Sequence, residues 1–563
     1  GGYPAAIRAA QLGAKVTIIE KAEFGGTCLN RGCIPTKSLL QSAGMYHGAK
    51  GAEIFGVKAS GVTLDFPAVM KRKDAVVKQL VGGLGGILKS HGMKIVNGTG
   101  TIVDANTVKV QETGEDIKAD KIIIATGSVP CRVPIDGIDL PGVITSDEAL
   151  SLEKLPGSIL IIGGGVIGME FAQIMKRMDV DVTVVEMLPQ ILMFLDWQLA
   201  KILENHVKEH AADVITDNAV WAFLGDGDGR LRAVKLANGD EIPCELAVVA
   251  IGVSPNIKIA KDAGLKIGES RGILVDEYMQ TNDSDIYAVG DCIEIPHRLS
   301  GQNVHAPYGD LANLEGRVAG ENAAVGNVVK FPGTIQTGVC KVFEFSAGST
   351  GISQSTAEQL GYKNIETVTT SGPDRPGFMG AKILINRMIA DTDTGKLLGF
   401  ECIGQGDASK QIGMAAMAIM GRLTIDELAN ADLPYAPPFS LAIDNIIACA
   451  QALQNKLRGI MQGLSAVEVH TKLANGEKPF IIDCRSPEEW EQMRLGIGEH
   501  LIPVGALRDR LEELPKDKDT EIITYCKISL RGYEAARTLI ANGFTNVKVM
   551  EGGIMAWPYH REK

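Results

Sequence analysis

Short apolar runs alternate with helix-period stretches through roughly the first 300 residues, the pattern of parallel α/β architecture. Residues 16–20, 121–125, 159–162 and 182–186 predict buried strands. Residues 5–20 and 167–186 resemble each other: each runs from a small-residue helix into a strand that ends in Glu. That is an internal repeat of one strand–helix–strand unit. From Phe331 the pattern shifts toward α+β and holds to about Gln454. Residues 455–465 predict a linker helix, and a segment of ordinary domain size follows. No apolar run is long enough to span a bilayer.

Composition narrows this picture. The 563 residues exceed what one hydrophobic core serves, so several domains are expected. A net charge of -12 leaves no cationic excess for phosphates and argues against nucleic acid as a partner. Ten scattered cysteines in a chain of this size do not make a disulfide scaffold. No signal peptide is read at the N-terminus, and a cytoplasmic, non-membrane location is the expectation. The histidines show no metal spacing, so no metal is expected.

Residues 159–170 read ILIIGGGVIGME: a strand, then Gly163, Gly165 and Gly168 in GxGxxG spacing, then a helix. The first glycine permits a tight turn, the second lets a pyrophosphate approach, and the third permits close helix–strand packing. The helix N-terminus favours the phosphates. Glu186 follows about 20 residues on, where a carboxylate holds a ribose 2′-hydroxyl. Met187, Leu188 and Pro189 supply no Arg for a 2′-phosphate, so NADH is favoured over NADPH. Gly1-Gly2-Tyr3 reads as the tail of a second fingerprint, with Glu20 as its acid and Asp291 of residues 285–292, DIYAVGDC, as a further contact.

Residues 25–37 read GGTCLNRGCIPTK. This motif resembles the flavoprotein disulfide reductases, especially dihydrolipoamide dehydrogenase and mercuric reductase, over about residues 1–455. Cys28 and Cys33 are close enough in sequence for a small disulfide, and a helix starting near Pro35 would stabilise a thiolate. The resemblance implies FAD and NAD(H) as cofactors. It makes Cys28 the interchange thiol and Cys33 the flavin-side, charge-transfer thiolate. Lys37 and Glu170 become an ion pair beside the flavin. Glu20 takes the adenosine ribose and Asp291 the ribitol or phosphate side; Gly2, Thr126, Gly127 and Gly252 join the cofactor-binding set. Mercuric reduction is disfavoured, because no vicinal cysteine pair lies near the C-terminus.

The dihydrolipoamide pattern then breaks. Its HPTxSE-like segment, whose His–Glu pair is the acid–base catalyst, is replaced at residues 432–444 by DLPYAPPFSLAID, and no His lies between His305 and His470. YAPPFS, with KVFEFSAGSTG and LEGRVAGENAA, resembles coenzyme A-disulfide reductases and their persulfide-reducing relatives. That resemblance makes Tyr435 a catalytic candidate acting across a homodimer; an interface packing role is the alternative. Those relatives usually carry one redox Cys, whereas this chain has two.

Residues 466–563 resemble a single rhodanese domain through IIDCRSPEEW, EIITYCKISLRGYEAARTLI and VMEGGIMAW. The loop from Cys526 to Arg531 opens a helix and reads as a cradle for a thiolate or persulfide anion. Ser529 stands where family loops often carry Gly. Asp483 and Arg485 read as structural, and the seven other cysteines, Cys484 among them, as buried small hydrophobes.

The expected fold is therefore α/β, with two Rossmann-like nucleotide-binding domains, an α+β dimerisation domain and a C-terminal α/β rhodanese domain. The expected boundaries are 1–150 and 253–330 for the FAD-binding domain, 151–252 for NAD(H), 331–455 for dimerisation, 456–465 for a linker and 466–563 for rhodanese. The leading functional expectation is an NADH-dependent reductase of a small-molecule or protein-bound persulfide, polysulfide or coenzyme A disulfide. Dihydrolipoamide dehydrogenase activity and a sulfurtransferase or sulfur-trafficking role are the alternatives.

Overall fold

The computed structural model describes residues Gly1–Lys563. They form two compact units, one of Gly1–Pro189 with Ala211–Thr334 and the other of Gln190–His210 with Ile335–Lys563. No helix is long and apolar enough to cross a membrane.

In the first unit a five-stranded parallel sheet runs Asp213–Ile215, Asp181–Val185, Ser158–Ile162, Leu246–Val249, Val143–Thr145. Chain order reverses on either side of Ser158–Ile162, and such a switch point opens a crevice at the carboxyl ends of the strands. Ile159, Leu160 and Ile161 are essentially inaccessible to solvent, which is why the run is continuously apolar rather than alternating. Two further parallel pairs belong to this unit: Thr17–Glu20 with Lys94–Asn97, and Ile122–Ile124 with Ile286–Ala288. Helix Gly309–Val325 lies against helix Gly2–Gln11. A Cβ at Gly316 or Gly320 would meet the carbonyl of Gly1 or Ala5, so glycine sets this close approach.

The second unit contains an antiparallel five-stranded sheet in the order Gly338–Val342, Phe345–Gly351, Leu397–Gly404, Ile383–Asp391, Ile365–Pro373. Helices Ala408–Met420 and Asn445–Leu457 pack on it. A parallel sheet follows, ordered Gly463–Leu464, Val547–Met550, Ile522–Tyr525, Phe480–Asp483, His500–Leu501. Helix Trp197–His210 also belongs to this unit: Gln198 donates to the Ala556 carbonyl and Asn205 to that of Pro558, each at 2.7 Å.

The predicted linker helix over residues 455–465 is helical only at its first three residues. The helix begins at Asn445, capped by Asp444, and ends at Leu457. Gly459 turns left-handed at φ +67°, and Gly463–Leu464 then joins the second parallel sheet as an edge strand beside Val549 and Met550. Strand pairing has won over local helix propensity here.

Candidate active site

Two successive left-handed glycines, Gly25 at φ +109° and Gly26 at φ +72°, turn the chain into the short helix Gly26–Arg31 that carries Cys28. Cys33 is the first residue of helix Cys33–Lys50, two positions earlier than the sequence predicted; Pro35 sits in its first turn, where no intrahelical N–H is needed. The two cysteines form a disulfide with Cα atoms 4.7 Å apart. Gly309, at the start of another helix, faces them: a Cβ there would lie 3.8 Å from Cys28 Sγ. A helix N-terminus on each side favours negative charge on the sulfurs.

One helix turn beyond Cys33, Lys37 Nζ reaches Glu170 Oε1 at 2.7 Å. Glu170 is 5% exposed and lies in helix Val166–Lys176, which follows the glycine-rich turn. The ion pair thus ties the helix that begins at Cys33 to the helix that follows the glycine-rich turn.

At the switch point Gly163 adopts φ +109°, and a Cβ there would strike the Ala250 backbone just past the adjacent strand. A Cβ on Gly165 would meet nothing within 4 Å, while one on Gly168 would collide with the Gly163 carbonyl. The turn is therefore tight, open above its second glycine and closely packed beneath its third, which fits a pyrophosphate laid over it. Glu186, just past its strand, accepts from Gly164 N–H at 2.7 Å and Leu188 N–H at 2.8 Å. Met187 and Leu188 beside it are exposed. Gly252 is left-handed with open space around it.

Around the second fingerprint, Gly2 begins helix Gly2–Gln11 and Glu20 ends its strand, accepting from Ala22 N–H at 2.9 Å. Asp291 accepts from the Ser128 hydroxyl at 2.7 Å, and its carbonyl lies 2.8 Å from His305 Nε2. Thr126 donates its hydroxyl to the Asn256 carbonyl at 2.6 Å, and Gly127, at φ +66°, accepts from Asn256 N–H. These two residues secure a backbone crossing with Asn256.

In the second parallel sheet, Cys526 leaves strand Ile522–Tyr525 and a three-residue loop leads into helix Leu530–Ala541. The cysteine is completely buried. Its carbonyl and that of Lys527 accept from Ile554 and Met555 N–H, and a Cβ at Gly553 would strike both carbonyls. Arg531 pairs doubly with Glu489 at 2.6 and 2.8 Å and holds its carboxyl down at about 2. Arg485 forks onto Asp483 and donates to the Glu489 and Met493 carbonyls, a buried structural brace.

Residues 1–307 match the pyridine nucleotide-disulphide oxidoreductase family, residues 337–446 its dimerisation domain, and residues 465–559 the rhodanese-like domain. The chain belongs to the pyridine nucleotide-disulphide oxidoreductases. A dihydrolipoyl dehydrogenase of Bacillus subtilis is 35% identical over 462 residues, covering 79% of this chain and 94% of that protein. One from Haloferax volcanii is 33% identical over 451 residues, covering 76% and 90%. A NAD-dependent persulfide reductase from A. fulgidus superposes with TM-score 0.85 at 34% identity, over 98% of this chain and 97% of its own. CoADR-RHD from Bacillus anthracis gives TM-score 0.81 at 27% identity, over 99% and 96%. Membership of this oxidoreductase family implies flavin and nicotinamide cofactors.

Within this oxidoreductase Tyr435 lies in a segment outside regular structure, 54% exposed, with Phe439 and Ile443 also exposed nearby. It belongs to the second unit, the Cys28–Cys33 pair to the first. Two features escaped the sequence reading. Glu315 is buried beside the Gly290 turn, whose N–H it accepts at 2.8 Å, and burial pushes its carboxyl up to about 7. The available signal was a Glu among the small residues Ala312, Gly316 and Ala319 on one helix face. The other is Cys484, which packs in the same apolar cluster as Cys526; its sequence reading as a cysteine without chemical context overlooked a neighbour that only strand pairing reveals. Cys244 and Cys449 are buried cysteines whose thiols burial pushes up to about 11 and about 12.

Proposed function

We propose that this oxidoreductase uses NADH and FAD to reduce persulfide, polysulfide or coenzyme A-linked disulfide sulfur, with Cys526 carrying the sulfane sulfur. The observation that carries the reading is the likeness to the A. fulgidus persulfide reductase over 98% of this chain, at 34% identity. The absence of any His between His305 and His470 supports it, since a dihydrolipoamide-type thiol acid–base pair needs one.

In this reading Cys28 attacks the substrate sulfur and Cys33 resolves the mixed disulfide, closing the 28–33 bond. Bound FAD would supply the two-electron relay between NADH and that disulfide. Lys37 and Glu170 would hold a fixed charge pair beside the flavin. Glu186 would take the NADH ribose above Gly163, Gly165 and Gly168, with Gly252 across the crevice. Gly2, Glu20, Thr126, Gly127 and Asp291 would line the FAD side. Tyr435 would assist the substrate sulfur across a homodimer.

The test is anaerobic NADH oxidation with polysulfide, coenzyme A disulfide and lipoamide in parallel, with sulfide assayed. Sulfide release is expected with polysulfide, falling in Cys526→Ser. Cys28→Ser is expected to abolish turnover while the flavin stays bound, and surviving activity would sink the mechanism. A second reading, dihydrolipoamide dehydrogenase activity, is favoured by GGTCLNRGCIPTK and by the names of the 33–35% identical relatives. Turnover with lipoamide alone, indifferent to Cys526, would establish it. Thiosulfate-to-cyanide transfer dependent on Cys526 and indifferent to NADH would instead point to a sulfurtransferase.

A further inference from the structure

Cys484 and Cys526 leave neighbouring parallel strands at the same level. Strand Phe480–Asp483 pairs with Ile522–Tyr525 in the register Ile482↔Thr524 and Asp483↔Tyr525. Cys484 N–H continues that ladder by donating to the Tyr525 carbonyl at 2.8 Å. The next rung sets Cys484 opposite Cys526. Side chains alternate between the faces of a sheet, so both thiols fall on the side of Ile482 and Ile522, and all four residues share one buried apolar cluster. Tyr525, Ile481 and Ile523 point the other way, into a separate cluster. Paired strands run about 4.8 Å apart, inside the roughly 4.4–6.8 Å that Cα atoms span in a disulfide. Both cysteines are free thiols in the structure.

We propose that Cys484 is the resolving thiol for a persulfide formed on Cys526. The inference rests on the proposed role of Cys526 as sulfur carrier and adds how the sulfur leaves. Cys484 Sγ attacks Cys526 Sγ, and a Cys484–Cys526 disulfide forms. The bond from Cys526 Sγ to the sulfane sulfur breaks, and that sulfur departs with the bonding electron pair as hydrosulfide, taking the Cys484 proton. Two thiol sulfurs are oxidised to a disulfide, and the sulfane sulfur is reduced by the same two electrons. An added dithiol, itself oxidised to a disulfide, returns two electrons and two protons and restores both cysteines.

The surroundings favour an internal nucleophile. Cys526 and Cys484 are 0% and 1% exposed, and the Gly552-Gly553 turn is fastened over the loop by Ile554 and Met555 N–H. An external thiol, like the sulfur donor before it, has to open that cover, whereas Cys484 is already beneath it. Burial, with the neighbouring Cys526 adding to it, holds the Cys484 thiol far above its ordinary range. The Cys484 proton therefore has to pass to the departing sulfur as the new bond forms.

The experiment uses the full-length protein with its Cys28–Cys33 disulfide closed, so that the flavin-side cysteines cannot release sulfide. Inorganic polysulfide is added anaerobically without NADH, the thiols are alkylated, and the peptides are mapped by mass spectrometry while sulfide is assayed. Wild type is expected to yield a linked Cys484–Cys526 peptide and sulfide above the level seen with Cys526→Ser. Cys484→Ser and Cys484→Ala are expected to keep one extra sulfur atom on Cys526 and to lose that sulfide. The wild-type linked peptide stands as a readout even if both variants fold poorly. An added sulfur on wild-type Cys526, with Cys484 recovered as a free alkylated thiol, overturns the inference and leaves the carrier reading intact. No added sulfur and no linked peptide overturns both.

Discussion

Ser529 shows how a single position can carry strain in the loop between Cys526 and its helix. It holds φ +75° where glycine would be free, and its hydroxyl donates to the Met550 carbonyl at 3.0 Å. A left-handed L-residue costs roughly 1–2 kcal/mol, and a hydrogen bond offsets about 1 kcal/mol of that. Ser529→Ala and Ser529→Gly both lose the bond but only alanine keeps the strain, so Ser529→Ala is expected to be less stable than Ser529→Gly by about 1 kcal/mol after glycine's backbone entropy is counted, measured by denaturant unfolding. Glu315 gives a pH prediction. Its folded carboxyl sits at about 7 against an ordinary 4.5, so the folded state keeps a proton that the unfolded state loses. The associated stability is full below about 4.5, falls as pH rises through the window to about 7, and then levels off. The loss is on the order of 3 kcal/mol. Glu315→Gln is expected to flatten that slope when unfolding midpoints are compared at about pH 5 and about pH 8. Glycine spacing at residues 163–168 was readable because backbone sterics act locally; the burial of Glu315 was not, because it arises from packing against Gly290, 25 residues away.

At the level of elements, continuous apolar runs predicted the central strands within a residue or two, since strands buried on both faces need no alternation. Helix ends were less legible. The redox helix begins at Cys33 rather than near Pro35, because proline suits a first turn as well as it marks a boundary. The supposed linker helix stops at Leu457 and gives way to an edge strand after a left-handed Gly459. The glycine-rich turn predicts a separable effect. Gly168→Ala would push a Cβ against the Gly163 carbonyl and shift the helix that backs the turn. NADH binding is expected to weaken, seen as a raised KM for NADH, while flavin content stays at the wild-type level. Loss of flavin with an unchanged KM would contradict this assignment of the two fingerprints.

At the scale of the whole molecule, the rhodanese-like domain is built into its unit rather than hung from a tether. Glu551, which precedes the Gly552-Gly553 turn, is buried and accepts from Thr369 N–H at 2.8 Å and from Lys456 Nζ at 2.6 Å. Lys456, near the end of helix Asn445–Leu457, also reaches Glu366 at 2.9 Å. Removing one member of a buried pair strands the other, at a cost of about 3–5 kcal/mol. Lys456→Met is therefore expected to lower stability by that order in denaturant unfolding and to speed hydrogen exchange at Ile554 and Met555, whose amides cover the Cys526 loop. Sequence alone determined the features that depend on neighbouring residues: the glycine turns, the Cys28–Cys33 spacing, the strand cores and the family resemblance. Tertiary structure decided the features that join distant positions. It brought Lys37 to Glu170, Lys456 to Glu551 and Cys484 level with Cys526. Those pairings follow from strand register and helix packing, which bring together groups 133, 95 and some 40 residues apart and leave no local periodicity to read.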